Sequence, residues 1–420
     1  MRADNISISV IGLGYVGLPT AAVIASRGIN VIGVDTNPNV VKQVNNGNTP
    51  LVEPDLEQLI RQSIKMGTLK AVSSPETADI YLISVPTPIK GKHSPDLSYL
   101  FDAINNITEL IKSGDLIILE STSPIGTTEK IRDLLAERRT DLRLPGKDDK
   151  PDINIAYSPE RVLPGRVLVE LIDNDRVIGG VTPACSKKTQ SFYKLFVNGP
   201  CHITDSRTAE CVKLAENAFR DTNIAFANEL AQVCDKNEIS VWEMINLANR
   251  HPRVNILQPG PGVGGHCIAV DPWFLVDSAP DLTPLIQTAR SINDGKPNIV
   301  VDKVAECVSQ KSVSVIGFLG LAYKANIDDL RESPALEIVA TLARQLGNQI
   351  LVCEPNIDNL PSTLAGLENV RLSDLNECLD KSELLVLLTD HAEFFQIPPE
   401  KVEMKEIIDT RGVFNLDSGK

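Results

Sequence analysis

Gly12-Leu13-Gly14-Tyr15-Val16-Gly17 directly follows an apolar run, Ile6–Ile11, and opens a helix-forming run, Pro19–Ser26. A second apolar run, Asn30–Asp35, ends on a carboxylate 18 residues after the last glycine of the motif. Strand, glycine-rich turn, helix, second strand and acidic residue together form the dinucleotide-binding fingerprint of a βαβ unit. The sequence therefore predicts a Rossmann-like, doubly wound α/β sheet that begins at this segment.

The same segment also indicates the ligand. Glycines allow the backbone to approach a pyrophosphate closely, and the N–H groups at the helix N-terminus would meet its negative charge. An acidic residue at the end of the second strand would accept hydrogen bonds from ribose hydroxyls and repel a 2′-phosphate. We therefore expect NAD rather than NADP. The predicted cofactor contacts are Gly12, Gly14, Tyr15, Val16, Gly17 and Asp35.

Three threonines extend this predicted site. Two polar turns directly follow the apolar runs Ile80–Val85 and Leu116–Leu119. Because ligands bind at the carboxyl ends of parallel strands, Thr87, Thr122 and Thr128 are candidates to line the nicotinamide half of the site. The alternative interpretation is that all three are ordinary turn residues.

The next part of the chain continues the α/β rhythm and then turns helical. Residues 141–152 are typical of a polar surface loop, after which strands are expected at Ile153–Tyr157 and Val177–Gly179. Residues 206–236 carry the longest helical pattern, with Ser206 as the expected N-cap. A helix of that length spans about 45 Å, which suits a domain connector and a dimer core.

A second α/β pattern begins near Val313. A helix is expected after Pro334, and strands at Gln349–Val352, Leu384–Leu388 and Ile407–Asp409. The predicted fold class is α/β, with two Rossmann-like doubly wound domains joined by a helical central domain with one long connecting helix. The predicted boundaries are a dinucleotide-binding domain at residues 1–200, a central helical dimerisation and catalytic domain at 201–305, and a C-terminal Rossmann-like domain at 306–420.

Composition and charge limit the partners. The 420 residues are 42% hydrophobic and 23% charged, as in an ordinary globular protein, and the formal net charge is −14. This negative charge disfavours non-specific binding to nucleic acid or to an anionic membrane. The sequence has no run of about 18 apolar residues and no signal-peptide pattern. We expect a cytoplasmic protein without nucleic-acid or membrane partners.

Cysteine and histidine spacings do not indicate a metal site. The eight cysteines are scattered without a CxxC pair, and the five histidines form no HExxH group. We expect reduced thiols, most of them acting as small buried side chains, and no bound metal. One cysteine differs from the others because of its surroundings.

Gly260-Pro261-Gly262-Val263-Gly264-Gly265-His266-Cys267 places a thiol directly after a loop with four glycines. Backbone N–H groups of such a loop can point at a ligand, lower the pKa of the thiol and hold an oxyanion. Asp271 follows four residues later, near enough to orient a water molecule or a basic partner. Cys267 is therefore the candidate nucleophile, and a buried cysteine beside a structural turn is the alternative.

Polar side chains also follow one face of the long helix. Lys213, Asn217 and Arg220 have the spacing of one helical face, with Asn228 further along. From spacing alone, a solvated stripe is the better interpretation. The stripe has a chemical meaning only together with Cys267 and a bound cofactor.

These motifs together resemble the UDP-glucose/GDP-mannose dehydrogenase family over nearly the whole chain, from Ile8 to about Gly412. The loop reads Gly-Gly-His-Cys where UDP-glucose members tend to have Gly-Gly-Ser-Cys, and Asn326 and Ile327 also depart from those members. Both differences favour a member that acts on an amino sugar. The segments with the most detailed match are Ser158-Pro-Glu160-Arg161-Val162-Leu-Pro164-Gly165, Asn249-Arg-His251-Pro-Arg253-Val-Asn255, Gly264-Gly-His-Cys267-Ile-Ala-Val-Asp271-Pro and Tyr323-Lys324-Ala-Asn-Ile-Asp-Asp-Leu330-Arg331-Glu332-Ser333.

The resemblance implies a four-electron oxidation of the C6 alcohol of a nucleotide sugar by two NAD molecules. It implies that Lys213, assisted by Asn217, is the acid–base group and stabilises an oxyanion. Cys267 would form a thiohemiacetal and then a thioester. Water would complete the reaction, with Asp271 and Glu160 as the positioning groups.

The resemblance also assigns the substrate contacts. A UDP sugar carries two phosphate charges, which an acidic protein must meet with placed cations. In the C-terminal half, Arg331 is expected to reach toward NAD, and an ion pair with Glu332 or Asp328 is the alternative. The implied substrate contacts are Arg161, Val162, Lys213, Asn217, Arg220, His251, Arg253, Gly264 and Leu330.

Three broader properties also follow from the resemblance. The C-terminal domain would bind the UDP sugar, the long helix would join a homodimer, and the product would enter a surface polysaccharide. The sugar that the resemblance implies is N-acetylmannosamine, with N-acetylglucosamine, which differs from it in configuration at C2, and glucose as the alternatives.

Two other functions fit part of these features. β-Hydroxyacid dehydrogenases share a Rossmann domain and a long helix with Lys and Asn, but they need no cysteine nucleophile and usually lack the second α/β domain. An NAD-sensing protein would need only the dinucleotide fold, because a fold by itself indicates binding rather than catalysis.

Overall fold

The computed structural model describes residues 6–51, 53–91, 93–163, 165–265 and 267–414. Pro164 and His266, which belong to the quoted motifs, lie outside the described residues. The chain forms two compact units, Met1–Glu216 with Trp273–Pro280, and Asn217–Pro272 with Asp281–Lys420. Each unit has its own mostly or wholly parallel sheet, and helices fill the sequence between the two sheets. The predicted α/β fold class with two Rossmann-like sheets is confirmed.

The sheet of the first unit has a dinucleotide-binding topology. Its strands are β1 (Ser7–Ile11), β2 (Asn30–Val34), β3 (Leu69–Val72), β4 (Ile80–Ile83), the hairpin strands β5 (Ile89–Lys90) and β6 (Ser94–Pro95), β7 (Leu116–Leu119), β8 (Asn154–Tyr157), β9 (Arg176–Gly180) and β10 (Cys201–Asp205). Apart from the hairpin, the order is β10-β9-β8-β7-β4-β1-β2-β3. The β8–β9 pair is antiparallel and the other pairs are parallel. The strand order reverses between β1 and β4, and parallel sheets bind ligands at such points.

Helices cover this sheet on both faces. They are α1 (Gly17–Ser26), α2 (Pro38–Asn45), α3 (Leu56–Met66), α4 (Ser98–Ile107), α5 (Thr127–Arg138), α6 (Val167–Asp173) and α7 (Pro183–Tyr193). Helix α1 is buried from Gly17 to Ala25 and is apolar around most of its circumference, as expected for a helix enclosed in a core. Its burial fixes the glycine-rich turn against β1.

Helix α8 (Ser206–Lys236) has the bounds predicted from the sequence. Its N-terminal cap differs, because Asp205 and not Ser206 accepts the hydrogen bonds of the first turn. The Thr208 amide donates to Oδ1 of Asp205 at 2.9 Å and the Thr208 hydroxyl to Oδ2 at 2.7 Å. Asp and Ser are equally good cap residues, so adjacent ones leave the cap ambiguous by one position.

The second unit is built on a smaller parallel sheet. Its strands are β11 (Val315–Leu319), β12 (Gln349–Cys353), β13 (Val370–Leu372), β14 (Leu384–Leu387) and β15 (Glu406–Asp409), in the order β13-β12-β11-β14-β15. The remaining helices of the chain are α9 (Val241–Ala248), α10 (Asp271–Ser278), α11 (Pro284–Lys311), α12 (Pro334–Gln345), α13 (Ser362–Ala365) and α14 (Leu375–Lys381). Within the described residues, no helix has both the length and the apolar character needed to cross a bilayer.

Candidate active site

The glycine-rich turn between β1 and α1 forms a cradle that side chains would fill. Gly12 has a φ angle of 94°, which glycine adopts at no steric cost. A Cβ atom added to Gly17 would lie 1.8 Å from the carbonyl oxygen of Gly12. Gly14 is exposed, and a Cβ atom there would meet open space. The turn therefore leaves room for a ligand at the N-terminus of α1.

Asp35 follows β2 beside this turn. Its Oδ2 accepts a hydrogen bond from the Leu13 amide at 3.0 Å, and its Oδ1 accepts one from the Asn37 amide at 2.8 Å. The half-buried carboxylate has further lone pairs for hydroxyl groups. Turn, helix N-terminus and carboxylate thus fit the pyrophosphate and ribose of NAD.

The three predicted threonines have different surroundings. The Thr87 hydroxyl donates to the carbonyl of Thr122 at 2.7 Å, so the two turns that carry them are in contact. Thr128 is fully buried, and its hydroxyl donates to Oε1 of Glu210 at 2.6 Å. Glu210 also accepts the amide hydrogens of Gly126 and Thr128, which stabilises the start of α5. Cofactor contacts of these threonines stay a prediction.

Glu160 belongs to a buried ionic network that the sequence did not reveal. Nη2 of Arg176 donates to Oε2 of Glu160 at 2.7 Å, and the Arg161 amide donates to Oε1 at 2.7 Å. Glu120 accepts a hydrogen bond from the Tyr193 hydroxyl at 2.7 Å and lies 3.9 Å from Arg176. Burial raises the pKa of Glu120, although the nearby Arg176 opposes the shift. Glu120, Glu160 and Arg176 are well separated in sequence, and no local spacing predicts that their side chains lie close together.

The first unit also contains predicted substrate side chains. Arg161 pairs with Glu216, with Nη2 and Oε1 2.7 Å apart. Val162 is half-buried against the apolar core. Lys213 is buried in α8, four residues before Asn217.

In the second unit, the predicted nucleophile and its acidic neighbour lie within one helical turn. The Asp271 amide donates to the carbonyl of Cys267 at 2.8 Å, and the Asn217 amide group donates to Oδ2 of Asp271. Cys267 is exposed, whereas Asp271 is buried. The fold thus brings together three candidate catalytic residues, although 54 positions separate Asn217 from Asp271.

The loop before Cys267 needs its glycines for packing. A Cβ atom added to Gly264 would lie 2.5 Å from the Glu332 carbonyl oxygen and 2.7 Å from Cβ of Tyr323. One added to Gly265, whose φ is 85°, would lie 2.8 Å from the Tyr323 ring. The sequence suggested that these glycines bring backbone close to a ligand. The structure shows that they also bring it against the segment that follows β11.

A buried polar network between α8 and α11 supports the same loop. Side-chain Oδ1 of Asn228 accepts a hydrogen bond from the Gly260 amide at 2.9 Å, and its Nδ2 donates to Oδ1 of Asn293 at 2.9 Å. Asn293 and Arg290 both donate to Oδ1 of Asp221, at 2.8 and 2.5 Å. All four side chains are buried. Asn228, a member of the predicted polar stripe, is therefore a support for the loop.

Arg331 has a partner that the sequence analysis did not consider. It forms a two-point ion pair with Asp329, Nε to Oδ1 at 2.8 Å and Nη2 to Oδ2 at 2.5 Å, whereas the sequence analysis named Glu332 and Asp328 as the possible partners. Leu330 is half-buried against the core of the second sheet. The exposed substrate candidates of this unit are Arg220, His251 and Arg253.

Glu354 follows β12 as Asp35 follows β2. Its Oε2 accepts the amide hydrogens of Leu321 at 2.7 Å and Ala322 at 2.9 Å, and Nε2 of His391 lies 3.0 Å from it. Glu354 and His391 are both buried. Burial by itself would raise the pKa of Glu354, but the hydrogen bonds from His391 and the backbone hold it below its usual value.

No group of three or more His, Cys, Asp or Glu side chains in the described part of the chain is placed to hold a metal ion.

The chain matches three family models in succession. The NAD binding domain of the UDP-glucose/GDP-mannose dehydrogenase family matches residues 6–197, its central domain residues 207–295, and its UDP binding domain residues 317–416. These matches cover the glycine-rich turn, the Cys267 loop and the second sheet.

Similar proteins agree with these matches. The chain is 54% identical over 417 residues to the UDP-N-acetyl-D-mannosamine dehydrogenase of Yersinia pestis, which covers 97% of this chain and 99% of that protein. It is 53% identical over 413 residues to an NDP-N-acetyl-D-galactosaminuronic acid dehydrogenase of Ralstonia nicotianae, covering 98% and 97%. The solved structure of the UDP-D-ManNAc dehydrogenase of Pyrococcus horikoshii superposes with a TM-score of 0.87 at 38% identity, covering 97% of this chain and 96% of that one.

Proposed function

Because the chain belongs to the UDP-glucose/GDP-mannose dehydrogenase family, we propose that it oxidises UDP-N-acetyl-D-mannosamine at C6 to UDP-N-acetyl-D-mannosaminuronate with two molecules of NAD. The observation that carries this proposal is the 54% identity, over 97% of the chain, to the enzyme of Yersinia pestis. The 53% identity to the Ralstonia nicotianae protein makes the N-acetyl-D-galactosamine compound the second candidate. The product supplies an aminouronic acid for a surface polysaccharide.

Lys213 and Asn217 act in the first oxidation. NAD would be the acceptor of the hydride that leaves C6. The proton of the C6 hydroxyl passes to Nζ of Lys213. One amide hydrogen of Asn217 is engaged by Asp271, and the second is available to stabilise the developing alkoxide.

Cys267 acts between the two oxidations. Its sulfur bonds to the aldehyde carbon and the carbonyl oxygen takes a proton, which gives a thiohemiacetal. Loss of the second hydride, for which the second NAD would be the acceptor, together with loss of the hydroxyl proton leaves a thioester. Water then cleaves the thioester to the carboxylate, a proton and the free thiol. Asp271, held by Asn217, and Glu160, held by Arg176, position that water. The exposure of Cys267 supports this role because a substrate can reach the sulfur.

The binding residues follow the sequence predictions. Arg331 and the threonines complete the NAD contacts of the glycine-rich turn and Asp35. The three-part division at residues 200 and 305 is part of this proposal. The UDP sugar contacts Arg161, Val162, Lys213, Asn217, Arg220, His251, Arg253, Gly264 and Leu330.

We further propose a cytoplasmic homodimer joined through α8. Phe219, Phe226 and Val233 recur every seven residues along this helix, and they are 72%, 51% and 53% exposed. Apolar side chains at this spacing are typical of a helix that packs against another helix. The cysteines of the described chain are free thiols, as in a reducing compartment.

The substrate is tested with the purified full-length protein, NAD and five sugars: UDP-N-acetylmannosamine, UDP-N-acetylgalactosamine, UDP-N-acetylglucosamine, UDP-glucose and GDP-mannose. We expect the highest kcat/KM with the first, and two NADH formed per uronate identified by mass spectrometry. A preference for another sugar would overturn the substrate assignment. One NADH per product would indicate a two-electron dehydrogenase, and NAD binding without turnover of any sugar would indicate a sensor.

The chemistry is tested by Cys267→Ser, with Cys211→Ser as the control. We expect Cys267→Ser to abolish steady-state formation of the uronate and Cys211→Ser to retain it. Full activity of Cys267→Ser would refute the covalent mechanism.

A further inference from the structure

A cavity of about 240 Å³ lies within the second unit. Its walls come from the end of α8, the start of α9, the middle of α11, the loop at Pro259 and Gly260, and the end of β15. None of the residues that line it is a predicted contact of NAD or of the sugar nucleotide. The cavity therefore needs an explanation of its own.

Lys296 is the unusual side chain of this cavity. It lines the cavity from α11 and is only 6% exposed. Burial lowers its pKa to about 8, repulsion from Lys303 adds to the effect, and attraction by Asp235 opposes it. No carboxylate in the described residues forms an ion pair with Lys296. A buried ammonium group without a counter-ion is costly in free energy, and such groups mark functional sites more often than structural ones.

The two carboxylates in the cavity wall have other partners. Asp235 forms an ion pair with Lys303. Asp409 accepts the amide hydrogens of Arg411 at 2.9 Å, Gly412 at 2.7 Å and Phe414 at 2.9 Å. Both carboxylates are therefore engaged by other groups, and the attraction that Asp235 still exerts on Lys296 does not offset the effect of burial.

The N-terminus of α9 adds positive potential to the same cavity. Ser240, Val241 and Trp242, where this helix begins, are among the lining residues. The Ser240 hydroxyl accepts the Glu243 amide at 3.3 Å and so fixes the first turn. The first N–H groups of a helix have no acceptor within the helix and carry a partial positive charge, which favours an anion nearby.

We propose that this cavity binds a small anionic molecule through a phosphate or carboxylate group, held between the Lys296 ammonium and the first turn of α9. The volume has space for several water molecules, so the ligand can be larger than the oxyanion group alone. Gly260 in the cavity wall is the first residue of the glycine loop that ends at Cys267. A molecule bound here would therefore touch the base of the catalytic loop without occupying the proposed substrate site.

Site-specific labelling tests the proposal on the full-length protein. Acetic anhydride modifies neutral amines, and mass spectrometry gives the labelling rate of Lys296 separately from other lysines. The probes are inorganic phosphate and acetate, with chloride at the same ionic strength as reference. A bound anion favours the ammonium form, and each unit by which it raises the pKa slows labelling near neutral pH by about tenfold. We expect slower labelling with phosphate or acetate than with chloride, and the more effective probe identifies the group that binds.

Thermal unfolding provides a second readout. Lys296→Met removes the charge with little change in size, and Lys311→Met, at the exposed end of the same helix, is the matched control. We expect the effective anion to raise the Tm of the wild type and Lys311→Met more than that of Lys296→Met. Equal increases in all three proteins, or Lys296 labelling that neither anion slows beyond chloride, would overturn the proposal.

Discussion

Arg176 lies 2.7 Å from Glu160, and its guanidinium carbon lies 4.7 Å from the centre of the Tyr193 ring. It is the counter-ion of two buried carboxylates, since Glu120 is only 3.9 Å away. The Ser84 hydroxyl and the Tyr193 hydroxyl donate to Glu120 at 3.0 and 2.7 Å. The position of the Glu160 carboxylate, on which its proposed role with water depends, therefore rests on this arginine.

Replacing Arg176 should lower the free energy of unfolding of the protein. Arg176→Met leaves buried carboxylates without a counter-ion, which typically costs about 3–5 kcal/mol. We expect a loss of that size in the free energy of unfolding, measured by urea denaturation. Arg138→Met, at an exposed position on α5, is the control and should change stability by less than about 1 kcal/mol. Similar small changes in both variants would show that the network is not electrostatically important.

Lys296 gives a pH dependence of stability with a defined sign. In the folded protein its pKa is about 8, against 10.5 for an ordinary lysine. Between these values the unfolded chain binds the additional proton, so this group makes stability rise with pH over that window, by about 3 kcal/mol in total. Below pH 8 Lys296 is protonated in both states, and burial of its charge lowers the free energy of unfolding by this full amount. The check is urea unfolding of the wild type and Lys296→Met from pH 7 to 10.5. A wild-type stability that does not rise relative to the variant would contradict the assignment.

Local spacing in the sequence indicates some site residues and not others. Gly12, Asp35 and Cys267 were identified because a strand, a turn and a loop place them within a short window. Arg176 and Lys296 were not, because their properties come from burial and from partners far away in sequence. Composition and periodicity contain no information about contacts between residues that are distant in sequence.

The Asn228 side chain connects helix α8 to the glycine loop at residues 260–265, because it bonds to the Gly260 amide and to Asn293. Removing a buried partner leaves its unmatched groups desolvated, at about 1–3 kcal/mol. We expect Asn228→Ala to lower the free energy of unfolding by that amount. It should also increase amide hydrogen exchange at residues 260–265, measured by mass spectrometry.

Asn223→Ala on the same helix is the matched control. The Asn223 side chain bonds to the helix's own backbone, at the Phe219 carbonyl, so we expect a change within about 0.5 kcal/mol and unchanged exchange of the loop. Unchanged exchange in Asn228→Ala would show that the loop is held by its packing against Tyr323 alone.

The accuracy of the element predictions follows from burial. Strands β4 and β7 were predicted within two residues because strands buried on both faces are continuous apolar runs. Helix α11 was not predicted. It mixes charged and apolar positions without a clear stripe and contains Pro297, a residue that usually ends a helix. Tertiary packing overrides that local preference here.

We expect the protein to be a dimer, and one charged substitution in the proposed interface should dissociate it. Phe226→Glu places a carboxylate in the exposed apolar stripe of α8, where a helix–helix contact would desolvate it. We expect light scattering to give twice the chain mass for the wild type and the single chain mass for Phe226→Glu at micromolar concentration. Met404→Glu, at an exposed apolar position elsewhere, should stay dimeric. A wild-type monomer would exclude the dimer.

The boundaries between compact units are harder to predict from sequence than the helices and strands. The predicted scheme places a helical domain between the two sheets, whereas the compact units divide the chain within α8, after Glu216. Sequence patterns assign residues to helices and strands, but compactness depends on which side chains pack together. The boundaries at residues 200 and 305 stay predictions.

Asp35 and Glu354 follow corresponding strands of the two sheets, but Asp35 is half-buried whereas Glu354 is buried. The Glu354 carboxylate is enclosed by His391 and by the backbone that follows β11. Acidic residues in corresponding positions therefore have different uses for their oxygens, because Glu354 fixes the backbone after β11 through two amide hydrogen bonds. To engineer a dinucleotide site on the second sheet, His391 would first have to be replaced, because it covers the Glu354 carboxylate. A glycine-rich turn by itself would not be enough.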